Sequence, residues 1–116
     1  MGSALAVDIG GTKLAAGVVS ETGELLHRIQ RPTPKEGGEA IFEALAGLVA
    51  NARRGDEDVC GVGTGGPMTA GGEEVSPLNI PGWHRFPLRR RLAERCGLPT
   101  FVDNDAKALA LGEGWV

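Results

Sequence analysis

Little in this chain invites a metal ion, a membrane or a polyanion. Its 116 residues contain only two cysteines. Cys60 and Cys96 lie far apart in sequence, each in an apolar context, without the paired spacing of a zinc site or a redox motif. They read as buried free thiols rather than a disulfide, which suits a reducing cytoplasm. His27 and His84 stand alone, with no neighbours at metal-ligand spacing, and read as structural or exposed. No apolar run approaches the roughly 20 residues that a membrane-spanning helix needs. Met1-Gly2-Ser3 lacks the charged and apolar regions of a secretory signal. A soluble cytoplasmic protein with no membrane partner is the expectation. The formal net charge of -3 removes the broad positive footprint of a nucleic-acid binder. Internal repeats, low-complexity tracts and linkers are also missing, so one domain is expected.

Two common nucleotide signatures fail as well. The Walker A pattern needs a lysine followed by Ser or Thr at the end of its glycine loop, and no segment has it. Gly61-Val62-Gly63-Thr64-Gly65-Gly66 formally matches the dinucleotide fingerprint, yet Pro67 follows in place of a helix. The residue about 20 positions on is Phe86, not an acid. Glycine itself is abundant at 19 residues, gathered at strand ends, which implies loops lined by backbone.

The hydrophobic pattern sets the elements. Leu5 to Ile9 and Leu14 to Val19 predict two strands joined by a tight glycine loop, and Leu25 to Arg31 predicts a third, ended by Pro32 and Pro34. From Glu39 to Arg54 the apolar residues Ile41, Ala44, Leu45, Leu48, Val49 and Ala52 follow one helix face, with Gly55 as the stop. Val59 to Thr64 reads as a buried strand, and Gly65 to Trp83 as a long turn-rich stretch. Pro87 suits the first position of a helix through Cys96, closed by Gly97-Leu98-Pro99. Thr100 to Val102 predicts a last strand, after which Asp103-Asn104-Asp105 caps a helix running through Leu111. Antiparallel strands followed by alternating strand and helix indicate a three-layer α/β domain.

Three segments carry candidate chemistry. Asp8 ends a strand before Gly10-Gly11-Thr12-Lys13, where missing side chains let backbone N–H groups approach an anion, beside a hydroxyl and a cation. An acid there can place Mg²⁺ directly or through water. Asp103-Asn104-Asp105 holds more polar groups than a helix cap uses, and a carboxylate outside the carboxyl end of a strand can take a proton from an attacking hydroxyl. Asn79-Ile80-Pro81-Gly82-Trp83 puts an amide in a stiff turn beside an aromatic ring, suited to a sugar or equally to a core tryptophan. The arginines at 85, 89, 90, 91 and 95 read as the solvated face of a helix.

On these residues the chain resembles the first lobe of ROK sugar kinases, within the actin-like and hexokinase-like ATPase superfamily. Asp8 to Lys13 resembles the family's first phosphate motif, Gly63 to Pro67 its glycine-proline loop, and Asn79 to Trp83 its sugar-side turn. Val102 to Ala106 through Leu111-Gly112-Glu113 resembles its catalytic helix entry. The resemblance implies a ribonuclease H-like domain with a mixed five-stranded sheet, one lobe of a two-lobe kinase spanning 1–116, the second nucleotide-binding lobe being absent. It implies ATP, Mg²⁺ and a glucokinase-like reaction, hexose and ATP giving hexose 6-phosphate and ADP. By the same resemblance Asp105 is the general base. Gly65, Gly66, Asn79 and Asn104 bind sugar, Gly10, Gly11, Thr12 and Lys13 face the phosphates, and Asp8 helps place Mg²⁺.

The fragment is expected to be inactive alone, the whole protein to be a homodimer, and any structural zinc to belong to the missing part, since no zinc ligands occur here. Lys107 and Thr64-Gly65-Gly66-Pro67-Met68 depart from the family's usual forms and leave the sugar's identity open. The alternative is the sugar-sensing lobe of a ROK-type transcriptional regulator, which would need a DNA-binding segment upstream.

Overall fold

A short apolar run makes the first segment a strand, β1 (Ser3–Ile9), buried at all but Ala6 and Asp8, with Leu5, Val7 and Ile9 turned to one face. The chain reverses through residues 10–12 into β2 (Lys13–Ser20), antiparallel to β1 from Ser3↔Ser20 to Ile9↔Leu14. A second reversal gives β3 (Leu25–Pro32), antiparallel to β2. Gly17 is required where these strands meet, because a Cβ there would lie 2.6 Å from the His27 carbonyl oxygen. The computed structural model describes residues 3–65, 68–69, 73–77 and 80–103.

Helix α1 (Gly38–Ala52) then carries the chain to β4 (Glu57–Thr64), which runs parallel to β1, and α2 (Leu88–Cys96) leads to β5 (Thr100–Asp103), parallel to β4. The mixed five-stranded sheet has the order β3-β2-β1-β4-β5, the ribonuclease H-like arrangement expected from the sequence. Both helices share one core with Val7, Val62 and Val102 and so cover one face of the sheet. The helix expected from Asp105 to Leu111, which would form the third layer, lies outside the described residues.

Seven side chains of α1 are buried, among them Phe42 and Leu45 at 0% exposure. Removing such a side chain to alanine costs about 2–5 kcal/mol. The helix stops at Ala52, two residues before the expected end. Arg53 leaves the helix in an extended conformation, its Nε donating to Glu57 Oε1 at 3.3 Å and its Nη1 to the Cys96 carbonyl. Glu57 also accepts from the amides of Arg54 at 2.7 Å and Gly55 at 3.1 Å. The stop is thus a carboxylate gathering the turn's donors, and Gly55, at φ 109°, follows it within that turn. Pro32 closes β3 from within; an edge strand tolerates a missing N–H.

Pro87 occupies the N-cap of α2 rather than its first turn, and Gly97, left-handed at φ 70°, caps the other end. The arginines of α2 do not form a simple solvated face. Arg91 grips Glu39 through two hydrogen bonds of 2.6 and 3.0 Å, and Arg95 grips Glu43 through two of 2.9 and 3.1 Å. Arg91 also lies 4.3 Å from the Phe42 ring centre. The i, i+4 spacing on each helix places two acids opposite two bases, which fixes how α1 and α2 lie against each other.

Candidate functional site at the carboxyl ends of the parallel strands

In the parallel register Asp8 is the partner of Gly63, and Gly63 is the partner of Asp103. Partners in register point to the same face, here the one opposite α1 and α2, because Val7, Val62 and Val102 alternate with them toward the helices. Adjacent strands are about 4.8 Å apart, so the Asp8 and Asp103 backbones are separated by roughly 10 Å with no side chain between them. Lys13 shares this face, two residues before Ala15, the partner of Asp8. Such diagonal neighbours lie about 7–8 Å apart. Asp8, Thr12, Lys13 and Asp103 are all exposed.

The phosphate-type loop is held from behind. Gly10 N–H donates to the Lys13 carbonyl at 3.0 Å, Thr33 N–H to the Thr12 carbonyl at 3.0 Å, and the Thr33 hydroxyl to the Gly10 carbonyl at 2.7 Å. Three carbonyls of the loop are therefore occupied internally. Among the described residues no carbonyl accepts from the amides of Gly11 or Thr12. A loop with its carbonyls engaged and these two amides unused is suited to an anion. No group of three or more His, Cys, Asp or Glu side chains exists among the described residues.

Thr33 was not singled out from the sequence. A signal was present: it stands between Pro32 and Pro34, which have no N–H, so it is the only amide donor of that stretch.

Gly65, beyond the end of β4, is exposed, and a Cβ built on it would meet no atom within 4 Å. Among the described residues no neighbour therefore demands glycine there. Thr64, just before it, is 3% exposed, and its hydroxyl has no hydrogen-bond partner among the described residues.

The sugar-side turn divides. Trp83 is 1% exposed, stacks on Phe86 at 4.6 Å, and donates its indole N–H to the Gly38 carbonyl at 2.9 Å. It is a core residue and offers no ring face to a ligand. Gly82 and Gly38 meet backbone to backbone: a Cβ on Gly82 would lie 2.7 Å from the Gly38 nitrogen. The turn is thereby pinned to the start of α1. Asn79, Gly66, Asn104 and Asp105 lie outside the described residues; Asn104 is bonded directly to Asp103, the last residue of β5.

The ROK family model matches residues 4–116. The chain is similar to the glucokinase of Streptomyces coelicolor, 44% identical over 114 residues, covering 97% of this chain and 36% of that protein. It is also similar to the structure of a ROK hexokinase from Thermus thermophilus, with a TM-score of 0.81 and 40% identity, over 96% of this chain and 41% of that one. A ROK family glucokinase from Streptomyces griseus, solved in complex with glucose and AMPPNP, superposes with a TM-score of 0.82 and 38% identity, over 97% of this chain and 38% of that one. The chain spans 36% of the length of the curated relative.

Proposed function

The chain belongs to the ROK family, and from that premise we propose that it forms the amino-terminal lobe of an ATP-dependent hexose kinase. The observation that carries the proposal is the register Asp8↔Gly63↔Asp103. It puts the phosphate-type loop on the same sheet face and at the same strand end as the residue that leads into Asn104-Asp105.

ATP with Mg²⁺ supplies the transferred phosphoryl group. Gly11 and Thr12 donate their amide N–H groups to phosphate oxygens, while the ammonium of Lys13 offsets their charge. Asp8 is the residue that would hold Mg²⁺, directly or through water, and the ion would supply charge compensation for the phosphates. Asp105 accepts the proton of the sugar hydroxyl as that oxygen attacks. Asn79 and Asn104 bind other hydroxyls, and the backbone at Gly65 and Gly66 lines the sugar pocket. The open space around Gly65 supports this role. Residues 1–116 make one lobe, the second wall of the nucleotide cleft comes from further chain, and these residues alone are inactive. The whole protein works as a cytoplasmic homodimer. Hexoses are the substrate class, with glucose first because the similar proteins are named for it.

Replacing Asp105 with Asn in the full-length protein tests the assignment. Turnover should fall by about 10²–10⁴, with sugar affinity changed only severalfold. Undiminished phosphoryl transfer would remove Asp105 from its role.

A further inference from the structure

Cys60 and Cys96, 36 positions apart in the chain, come together beneath the two helices. Cys60 lies on β4 with its side chain on the helix-covered face, beside Val62 in the core. Its strand partner is Thr100, and its amide donates to the Pro99 carbonyl at 2.9 Å. Cys96, the last residue of α2, has its Sγ 3.9 Å from the hydroxyl oxygen of that same Thr100. Thr100 therefore lies against both cysteines, and neither is in a disulfide.

Cys60 is sealed at 0% exposure, whereas Cys96 is 8% exposed and borders a cavity of about 270 Å³ between α1 and α2. Ala46, Ala50 and Leu92 give this groove an apolar wall, and Arg53 and Arg95 bring guanidinium groups to it. The acids facing it are partners of those arginines: Glu57 with Arg53 and Glu43 with Arg95. Small residues leave room for a small reactant, and Arg53 donates to the Cys96 carbonyl at the groove's edge.

We infer that Cys96 and Cys60 form a peroxide-reactive dithiol, in which Cys96 meets the oxidant through the groove and Cys60 closes the disulfide from behind. The neighbouring Cys60 thiol, together with the Leu98 amide, the Thr100 hydroxyl and the Arg53 charge, holds the Cys96 thiol below its ordinary range against the opposing pull of burial. Cys60 is pushed up, first by the neighbouring Cys96 and then by its burial. The groove reaches the sulfur of Cys96 and not that of Cys60, and an accessible thiol beside cationic groups is the more reactive of the two.

The chemistry balances with a hydroperoxide as co-reactant. The Cys96 thiolate attacks one peroxide oxygen; the O–O bond breaks, sulfur loses two electrons to become a sulfenic acid, and hydroxide leaves and takes a proton to become water. The Cys60 sulfur then attacks the Cys96 sulfur. The S–S bond forms, the S–O bond breaks, and the departing hydroxide takes the Cys60 proton as a second water. Two thiols and one peroxide give one disulfide and two waters, and the end of α2 becomes covalently tied to β4.

The test is peptide mapping of the intact protein after hydrogen peroxide treatment, with free thiols blocked by iodoacetamide on denaturation. Trypsin places Cys60 in the peptide Gly55–Arg85 and Cys96 in Cys96–Lys107. The expected result is a species joining these two peptides within one chain, about 2 Da lighter than their sum and lost on reduction. In Cys60→Ser, dimedone should trap a sulfenic acid on Cys96 about tenfold faster than it labels Cys60 in Cys96→Ser. The inference is overturned if both cysteines remain alkylatable after peroxide, if the link joins separate chains, or if Cys60 is labelled faster. The mapping of the unaltered protein needs no variant to fold, and neither measurement depends on kinase activity.

Discussion

Replacing Thr33 with valine isolates the support of the phosphate-type loop from the loop's own residues. Valine keeps the β-branched shape of a side chain that is 7% exposed, and the backbone bond from residue 33 to the Thr12 carbonyl remains possible. What is lost is one hydroxyl donor, 2.7 Å from the Gly10 carbonyl oxygen. A net hydrogen bond of this kind contributes about 1 kcal/mol; Gly10 is half-buried, so water can replace part of the lost partner and keep the cost near that value. If the loop must hold this shape to receive phosphates, the same ~1 kcal/mol appears as a roughly fivefold weaker ATP affinity. Titration calorimetry of the full-length protein with a non-hydrolysable ATP analogue measures it, beside the KM for ATP at saturating sugar. Sugar affinity should be unchanged, and Thr33→Ser, which keeps the hydroxyl, should bind nucleotide as the parent does. Unaltered ATP affinity in Thr33→Val, or an equal loss in Thr33→Ser, would refute the reasoning.

Gly82→Ala should lower thermal stability by an amount corresponding to about 1–3 kcal/mol, because the new Cβ would lie 2.7 Å from the backbone nitrogen of Gly38; an unchanged melting temperature would contradict the close approach. Thr64→Val should leave stability equal or raised, since it replaces a buried hydroxyl without a partner among the described residues by an apolar group of the same shape. A loss of sugar or ATP affinity in that variant would instead show the hydroxyl meeting a ligand. Burial opposes the charge of Glu57, but the Arg54 and Gly55 amides and the Arg53 guanidinium together hold its carboxyl below the ordinary 4.5. Its stabilisation is therefore present above pH 4.5 and lost as pH falls through the lower folded value. Glu57→Gln should flatten this acid limb in denaturation curves measured from pH 6 downward, and an unaltered limb would reject the assignment.

Local patterns carried much of the architecture. The β1–β2 hairpin, the apolar face of α1 and the Gly97 stop each depend on residues close in sequence, so periodicity and turn chemistry suffice to find them. The arrangement of Asp8 and Gly63 follows once parallel pairing is assumed, since both stand near strand ends. What escaped was set by partners far along the chain. Trp83 finds its hydrogen-bond acceptor 45 positions away, and Arg91 finds its carboxylate 52 positions away. Nothing beside Arg91 reveals that a guanidinium on an amphipathic helix will bind another helix rather than water. The end of α1 was misplaced for a similar reason, because Glu57, beyond the glycine, collects the donors that stop it. Cys60 and Cys96 looked unrelated in sequence, and only the parallel pairing of β4 with β5 brings them together.

Among the described residues, the loop between β1 and β2 owes its hydrogen bonds to nothing later in the chain than Thr33. Its contacts are short-range, and the entropy of closing such small loops is low. During synthesis, once the first few dozen residues have emerged, every group that shapes the loop is already present, whereas the strand leading to Asp105 must wait for β4 and α2. The glycine loop and the end of β5 therefore have different earliest moments of assembly, and the loop comes first.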